Sequence, residues 1–134
     1  FYNFIDPTDP TRQTAFLADL STKGIEIDAV VRPTDWFEIH ASGVFQDPTL
    51  NNLRLNGVSQ TGFDGNRPER TPAKLFTIIP SIKLPDGLGE IFVRYKYIGK
   101  IFADSGNGVS LPGYGVTGIG ATVNITEQMQ FSVN

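Results

Sequence analysis

At 134 residues, with 14 acidic and 11 basic side chains and a net charge of −3, the chain has the length of one ordinary domain and no cationic excess with which to hold a polyanion. A content of 40% hydrophobic and 19% charged residues excludes a disordered chain, and the lack of cysteine excludes disulfides and thiolate metal sites. No run reaches the roughly 18 apolar residues of a membrane-spanning helix, a test that barrel strands escape because they alternate.

Residues 1–5 are aromatic-rich and read as the end of a strand, and residues 6–11, with Pro7 and Pro10, read as a loop. An extended segment follows over 14–32. Its clear part is 24–32, where Ile25, Ile27, Ala29 and Val31 alternate with Glu26, Asp28, Val30 and Arg32. Leu17, Asp19 and Lys23 share the apolar parity and break the pattern, which predicts either a bulge or a departure from the apolar environment. After a tight connection at 33–35, residues 36–46 place Phe37, Ile39, Ala41, Gly43 and Phe45 on one face. Glu38, His40, Ser42 and Gln46 fall on the other, because side chains alternate across a strand.

Residues 47–70 form a long polar segment with Asn56-Gly57, Asp64-Gly65 and Arg67-Pro68, and they read as a functional or mobile loop. A strand is expected over 71–83, with Phe76, Ile78, Pro80 and Ile82 on its apolar face. Pro80 lacks a ladder donor, so a bulge, an edge or a weakened pairing is expected there. Pro85-Asp86-Gly87 signals the next turn. In 90–101, Ile91, Val93, Tyr95, Tyr97 and Ile101 oppose Glu90, Arg94, Lys96 and Lys100. A Gly-rich loop leads to Ile119, Ala121, Val123 and Ile125, alternating with Gly118, Gly120, Thr122 and Asn124. A turn at 126–128 then returns the chain to Met129, Phe131 and Val133.

The pattern is all-β, with about six antiparallel strands, connections that alternate between short and long, and no amphipathic helix. Two environments fit one apolar and one polar face. In a soluble β-sandwich binding or adhesion module the apolar face is a shared core. In a transmembrane β-barrel it meets lipid and the polar face lines the lumen. Strands of about 9–13 residues suit a tilted bilayer crossing, against the usual 5–6 of soluble proteins. The alternating turns, and aromatics near strand ends such as Trp36 and Tyr114, point the same way. An opening Phe1 and a strand pattern that stops at Asn134 suggest a fragment.

Four segments carry a family resemblance. Thr22-Lys23-Gly24-Ile25-Glu26-Ile27 resembles the GxE strand of TonB-dependent outer-membrane receptors, and Arg70-Thr71-Pro72 resembles their xTP strand start. The segment from Tyr97 to Asn107, YIGKIFADSGN, is similar to their YxGxxYxDxxN motif, and Leu111-Pro112-Gly113-Tyr114 to their LPxY. Order and spacing agree over 24–134. The resemblance implies a barrel of about 22 strands plugged by an N-terminal domain. Residues 1–134 would supply about six strands from its C-terminal part, with plug and closing strands absent. It further implies an outer-membrane receptor for energised uptake of a scarce nutrient such as a ferric siderophore, cobalamin or an oligosaccharide. Its partners would be outer-membrane lipid, a TonB-type complex acting through the plug, and the small-molecule ligand, with no nucleic acid, no cofactor and no enzymatic activity.

Candidate residues follow from the two faces and the long loop. Arg54, Arg67 and Arg70 could meet an anionic substrate, against the plainer reading of a solvated loop. Glu26, Asp28, Glu38, His40, Arg94 and Lys96 would be costly on lipid and are expected to face the lumen or the plug. His40 is the single histidine, so no His-rich metal site is available and none is expected. Gly113-Tyr114-Gly115-Val116-Thr117-Gly118 matches G-x-G-x-x-G but precedes a strand rather than a helix, so its glycines are expected to relieve crowding from the plug or a neighbouring strand. Asp104-Ser105-Gly106-Asn107-Gly108 offers oxygens without the full spacing of a Ca²⁺ loop.

Overall fold

The computed structural model describes residues 2–5, 13–126 and 129–133. The expected loop at 6–11 and the turn at Glu127-Gln128 lie outside them. The strands are β1 (Tyr2–Ile5), β2 (Gln13–Thr34), β3 (Phe37–Leu55), β4 (Val58–Ser59), β5 (Lys74–Lys83), β6 (Gly89–Ile98), β7 (Ile101–Phe102), β8 (Ser110–Leu111), β9 (Tyr114–Thr126) and β10 (Met129–Val133). One sheet runs in the order β1-β2-β3-β5-β6-β9-β10 with β4 beside β3, and β7 pairs separately with β8. The pairs β1–β2, β3–β5, β5–β6, β6–β9 and β9–β10 are antiparallel. The helical elements among the described residues are single 3₁₀ turns at Thr61–Phe63 and Pro85–Gly87.

The chain divides into two compact units. The first, here the strand unit, comprises Ile25–Phe45, Lys74–Gly99 and Gly113–Asn134. Its register fixes which side chains share a face, since cross-strand partners point the same way. Gly43, Phe76, Tyr97 and Gly115 form one row, and Ala41, Ile78, Tyr95 and Thr117 the next. Phe37, Ile82, Ile91 and Ala121 form another, and Phe131 and Val133 extend this face through Val123 and Ala121. The face stays uncovered: Ile25, Ile119 and Phe131 are 66%, 69% and 61% exposed. Pro80 pairs with Ile39 of β3, while on its β6 side the register is interrupted between Ile78↔Tyr95 and Ser81↔Phe92. A missing donor therefore weakens one ladder without shifting it.

The other, the loop unit, comprises Phe1–Gly24, Gln46–Ala73 and Lys100–Pro112. Here the structure corrects the expected irregular segment at 47–70. β3 continues to Leu55, and Asn56-Gly57, both at positive φ (51° and 81°), turns the chain into β4. Two consecutive positive φ values define the tight hairpin turn whose twist matches its strands, which is why Asn-Gly serves there. Leu50 and Leu53 are each 2% exposed and form the buried apolar core among the described residues. The Leu50 N–H donates to the Asn66 carbonyl (2.7 Å), and the Gly65 N–H donates back to the Leu50 carbonyl (2.9 Å). Early in β2, where the alternation breaks, the strand is bonded through polar side chains to the continuation of β3. Asp19 accepts a bond from Asn52 Nδ2 (2.7 Å), and the Ser21 carbonyl accepts one from Thr49 Oγ1 (3.4 Å).

One further expectation needs correction. β6 ends at Ile98, and Ile101 pairs with Leu111 in the β7–β8 ribbon, so Ile101 does not continue the face of Ile91. Tyr114 opens β9 at a strand end, as expected, and pairs with Ile98 on the polar-side register.

Candidate functional site

The polar face of the strand unit collects the charged residues that alternation assigns to it. Glu38 pairs with Ser81 and Ser81 with Phe92, so Glu38, His40, Arg94 and Lys96 share one face. Arg32 Nε donates to Glu38 Oε2 at 2.5 Å, and Lys83 Nζ stands 3.7 Å from the same oxygen. His40 Nε2 lies 3.3 Å from both oxygens of Asp28. These contacts put Asp28 and Arg32 on the face of Glu38, and alternation along β2 adds Glu26. The Arg94 guanidinium sits 5.7 Å from the Phe92 ring centroid, and Lys96 lies opposite Thr77 and Val116. Exposed ion pairs of this kind add little stability, so their chief meaning is orientation.

In the loop unit, Asn107 binds one residue of the opposing loop in both directions. Its Oδ1 accepts the Arg67 N–H (2.9 Å) and its Nδ2 donates to the Arg67 carbonyl (2.8 Å). The Arg70 N–H donates to the Phe102 carbonyl (2.8 Å), Asn66 Nδ2 to the Ser105 carbonyl (3.0 Å), and Ser105 Oγ to Glu69 Oε1 (2.8 Å). Asp104 closes its own loop by accepting the N–H groups of Val109 (2.7 Å) and Gly108 (3.0 Å). Those two donors hold its carboxyl below the usual range, the Val109 bond most strongly. The oxygens weighed as Ca²⁺ ligands are thus engaged, Asp104 within its own loop and Ser105 and Asn107 with residues 66–69. No group of three or more His, Cys, Asp or Glu suited to a metal occurs among the described residues.

The three candidate arginines are not all brought together. Arg67 and Arg70 converge on β7, where Arg67 Cζ and Lys100 Nζ lie 5.8 Å and 4.6 Å from the Phe102 ring centroid. Arg67 Nε is buried without a hydrogen-bond partner, and Arg70 takes a positive φ of 55°. Arg54 stands apart from this group, exposed on β3 opposite Ser59. Lys100 and Phe102 were missed as cluster members because alternation extended β6 past Gly99. The YIGKIFADSGN motif carried the signal: its Phe102, Asp104 and Asn107 all lie in this knot.

The glycine motif is resolved by packing. A Cβ on Gly113 would lie 2.6 Å from the Tyr97 hydroxyl, and one on Gly115 would lie 2.5 Å from the Tyr95 hydroxyl. The neighbouring strand is what crowds here, and Gly118 has no atom within 4 Å of such a Cβ.

No protein-family model matches the chain, and no curated protein sequence matches it. Among solved structures, the chain is similar to the siderophore receptor PiuA from Acinetobacter baumannii, with TM-score 0.64 and 21% identity. The match covers 83% of this chain and 16% of that one, so the chain spans a small part of the receptor's length. The fold is therefore an all-β antiparallel sheet of long strands that matches a segment of that receptor's structure.

Proposed function

We propose that this chain forms part of the barrel wall of a TonB-dependent receptor in a bacterial outer membrane. That receptor takes up a scarce nutrient such as a ferric siderophore, cobalamin or an oligosaccharide, and it is a transporter rather than an enzyme. The observation that carries the reading is the segregation of the two faces. An apolar face runs without a covering layer across β2, β3, β5, β6, β9 and β10, while Glu26, Asp28, Glu38, His40, Arg94 and Lys96 stand on the reverse. A sandwich would bury this face under a second sheet, whereas its large apolar side chains stand exposed.

On this reading the apolar face contacts lipid, the charged face lines the lumen and meets the plug, and the knotted loops lie outside the cell. Arg67 and Arg70, with Arg54 on its separate hairpin, are the residues for an anionic ligand, and energy arrives from a TonB-type complex through the plug. The likeness to a siderophore receptor supports iron-chelate uptake as one member of the substrate class. The test is accessibility in native membranes. Ile91→Cys should react with a lipid-soluble maleimide and Arg94→Cys should resist it; preferential labelling at position 94 overturns the assignment.

A further inference from the structure

Across the strand unit, one charged residue breaks the apolar face. Lys74 has the parity of Phe76, Ile78, Pro80 and Ile82 and pairs with Phe45, so it points outward. Every other outward position described on β2, β3, β5, β6, β9 and β10 in this unit is apolar, glycine, proline or threonine. Its position is not arbitrary. It is the first residue of β5, at the strand ends that lead into the loops. On its other side the Gly99 N–H donates to the Lys74 carbonyl (2.7 Å), and a Cβ on Gly99 would come within 3.3 Å of the Lys74 Cβ. The lysine stem is thus flanked by an aromatic ring and by a residue without a side chain.

The tyrosines below it point the same way. Tyr97 pairs with Gly115 but places its hydroxyl at Gly113, and Tyr95 pairs with Thr117 but places its hydroxyl at Gly115. Each ring leans two residues along β9 toward the loop end. Phe76 stacks on Tyr97 with centroids 5.1 Å apart and meets Tyr95 at 6.0 Å, which braces the lean. Amphipathic side chains on a lipid-facing surface extend their polar tips toward the interface. Both hydroxyls therefore point toward the edge of the apolar band at which Lys74 opens β5, beside Phe45 and Phe76.

We infer that Lys74 and the Tyr97 hydroxyl form an external binding site for the anionic phosphate of a membrane lipid headgroup. Lys74 supplies the charge and Tyr97 the second donor, while the aromatic row packs the upper acyl chains. The inference rests on the lipid-facing reading of this face. It is tested on the intact membrane protein in phosphatidylcholine vesicles with and without phosphatidylglycerol, counting the lipid retained after detergent extraction by native mass spectrometry. Wild type and Lys74→Arg should retain phosphatidylglycerol, and Lys74→Gln should retain it about fivefold less, the effect of one cation at an anionic surface. Tyr97→Phe should show a smaller loss. Equal retention by wild type and Lys74→Gln overturns the site. Labelling of Ile91→Cys by the lipid-soluble maleimide separates the failures. If position 91 is labelled and retention ignores Lys74, the headgroup site alone falls; if position 91 is inaccessible, the lipid-facing reading falls and takes this site with it.

Discussion

The two units solve the same problem in opposite ways. In the strand unit, backbone ladders satisfy the chain's polar groups, and its large apolar side chains remain exposed on one face. In the loop unit, Leu50 and Leu53 are buried, and side chains such as Asn107, Asp104 and Asn66 satisfy backbone groups that no ladder reaches. On the proposed reading the first leaves its apolar side chains uncovered because they meet lipid. The second replaces regular pairing with polar side chains.

The largest test breaks the strand unit. Val93→Arg places a charge in the middle of the outward face and should cost about 2–4 kcal/mol in a bilayer, read as a lower urea midpoint in vesicles with the loops unaffected beforehand. A neutral result would make that face something other than lipid contact. A smaller effect is expected from Asn107→Ala. It strips both partners from the Arg67 backbone, at a cost of about 1–2 kcal/mol for part-buried groups. Faster amide exchange at residues 66–70 and 104–109, with an unchanged urea midpoint for the strands, would sharpen the contrast between local and global damage. The smallest is a pH effect at Asp104. Because its carboxyl is held below its usual range, its bonds to Val109 and Gly108 stabilise the loop above about pH 4. That contribution is lost as the pH falls through the depressed value. Amide NMR signals of Gly108 and Val109 should move in an acid titration, and Asp104→Asn should abolish the transition.

Much of the strand unit was legible because its physics is one-dimensional. A period of two assigns Ile91 and Arg94 to opposite faces without any knowledge of neighbours, and the register confirms that β3, β5, β6 and β9 agree on those faces. The loop unit was far less legible. Asp47 and Pro48 looked like the start of a loop, yet β3 continues past them to Leu55, because pairing outweighs local propensity. Lys100 looked like the next polar residue of a strand, yet β6 stops two residues earlier and its ammonium meets Phe102. Both errors concern where an element ends, which depends on partners far along the chain.

The sequence by itself determined the fold class, the direction of the side chains in the strand unit and its sharp division between apolar and charged faces, since alternation is a local property of extended backbone. Only the tertiary structure decided that Asn107 grips Arg67, that Arg67 and Lys100 share one ring, and that Tyr95 and Tyr97 lean over Gly115 and Gly113. Those contacts join residues up to 40 positions apart, and no local pattern encodes such a pairing.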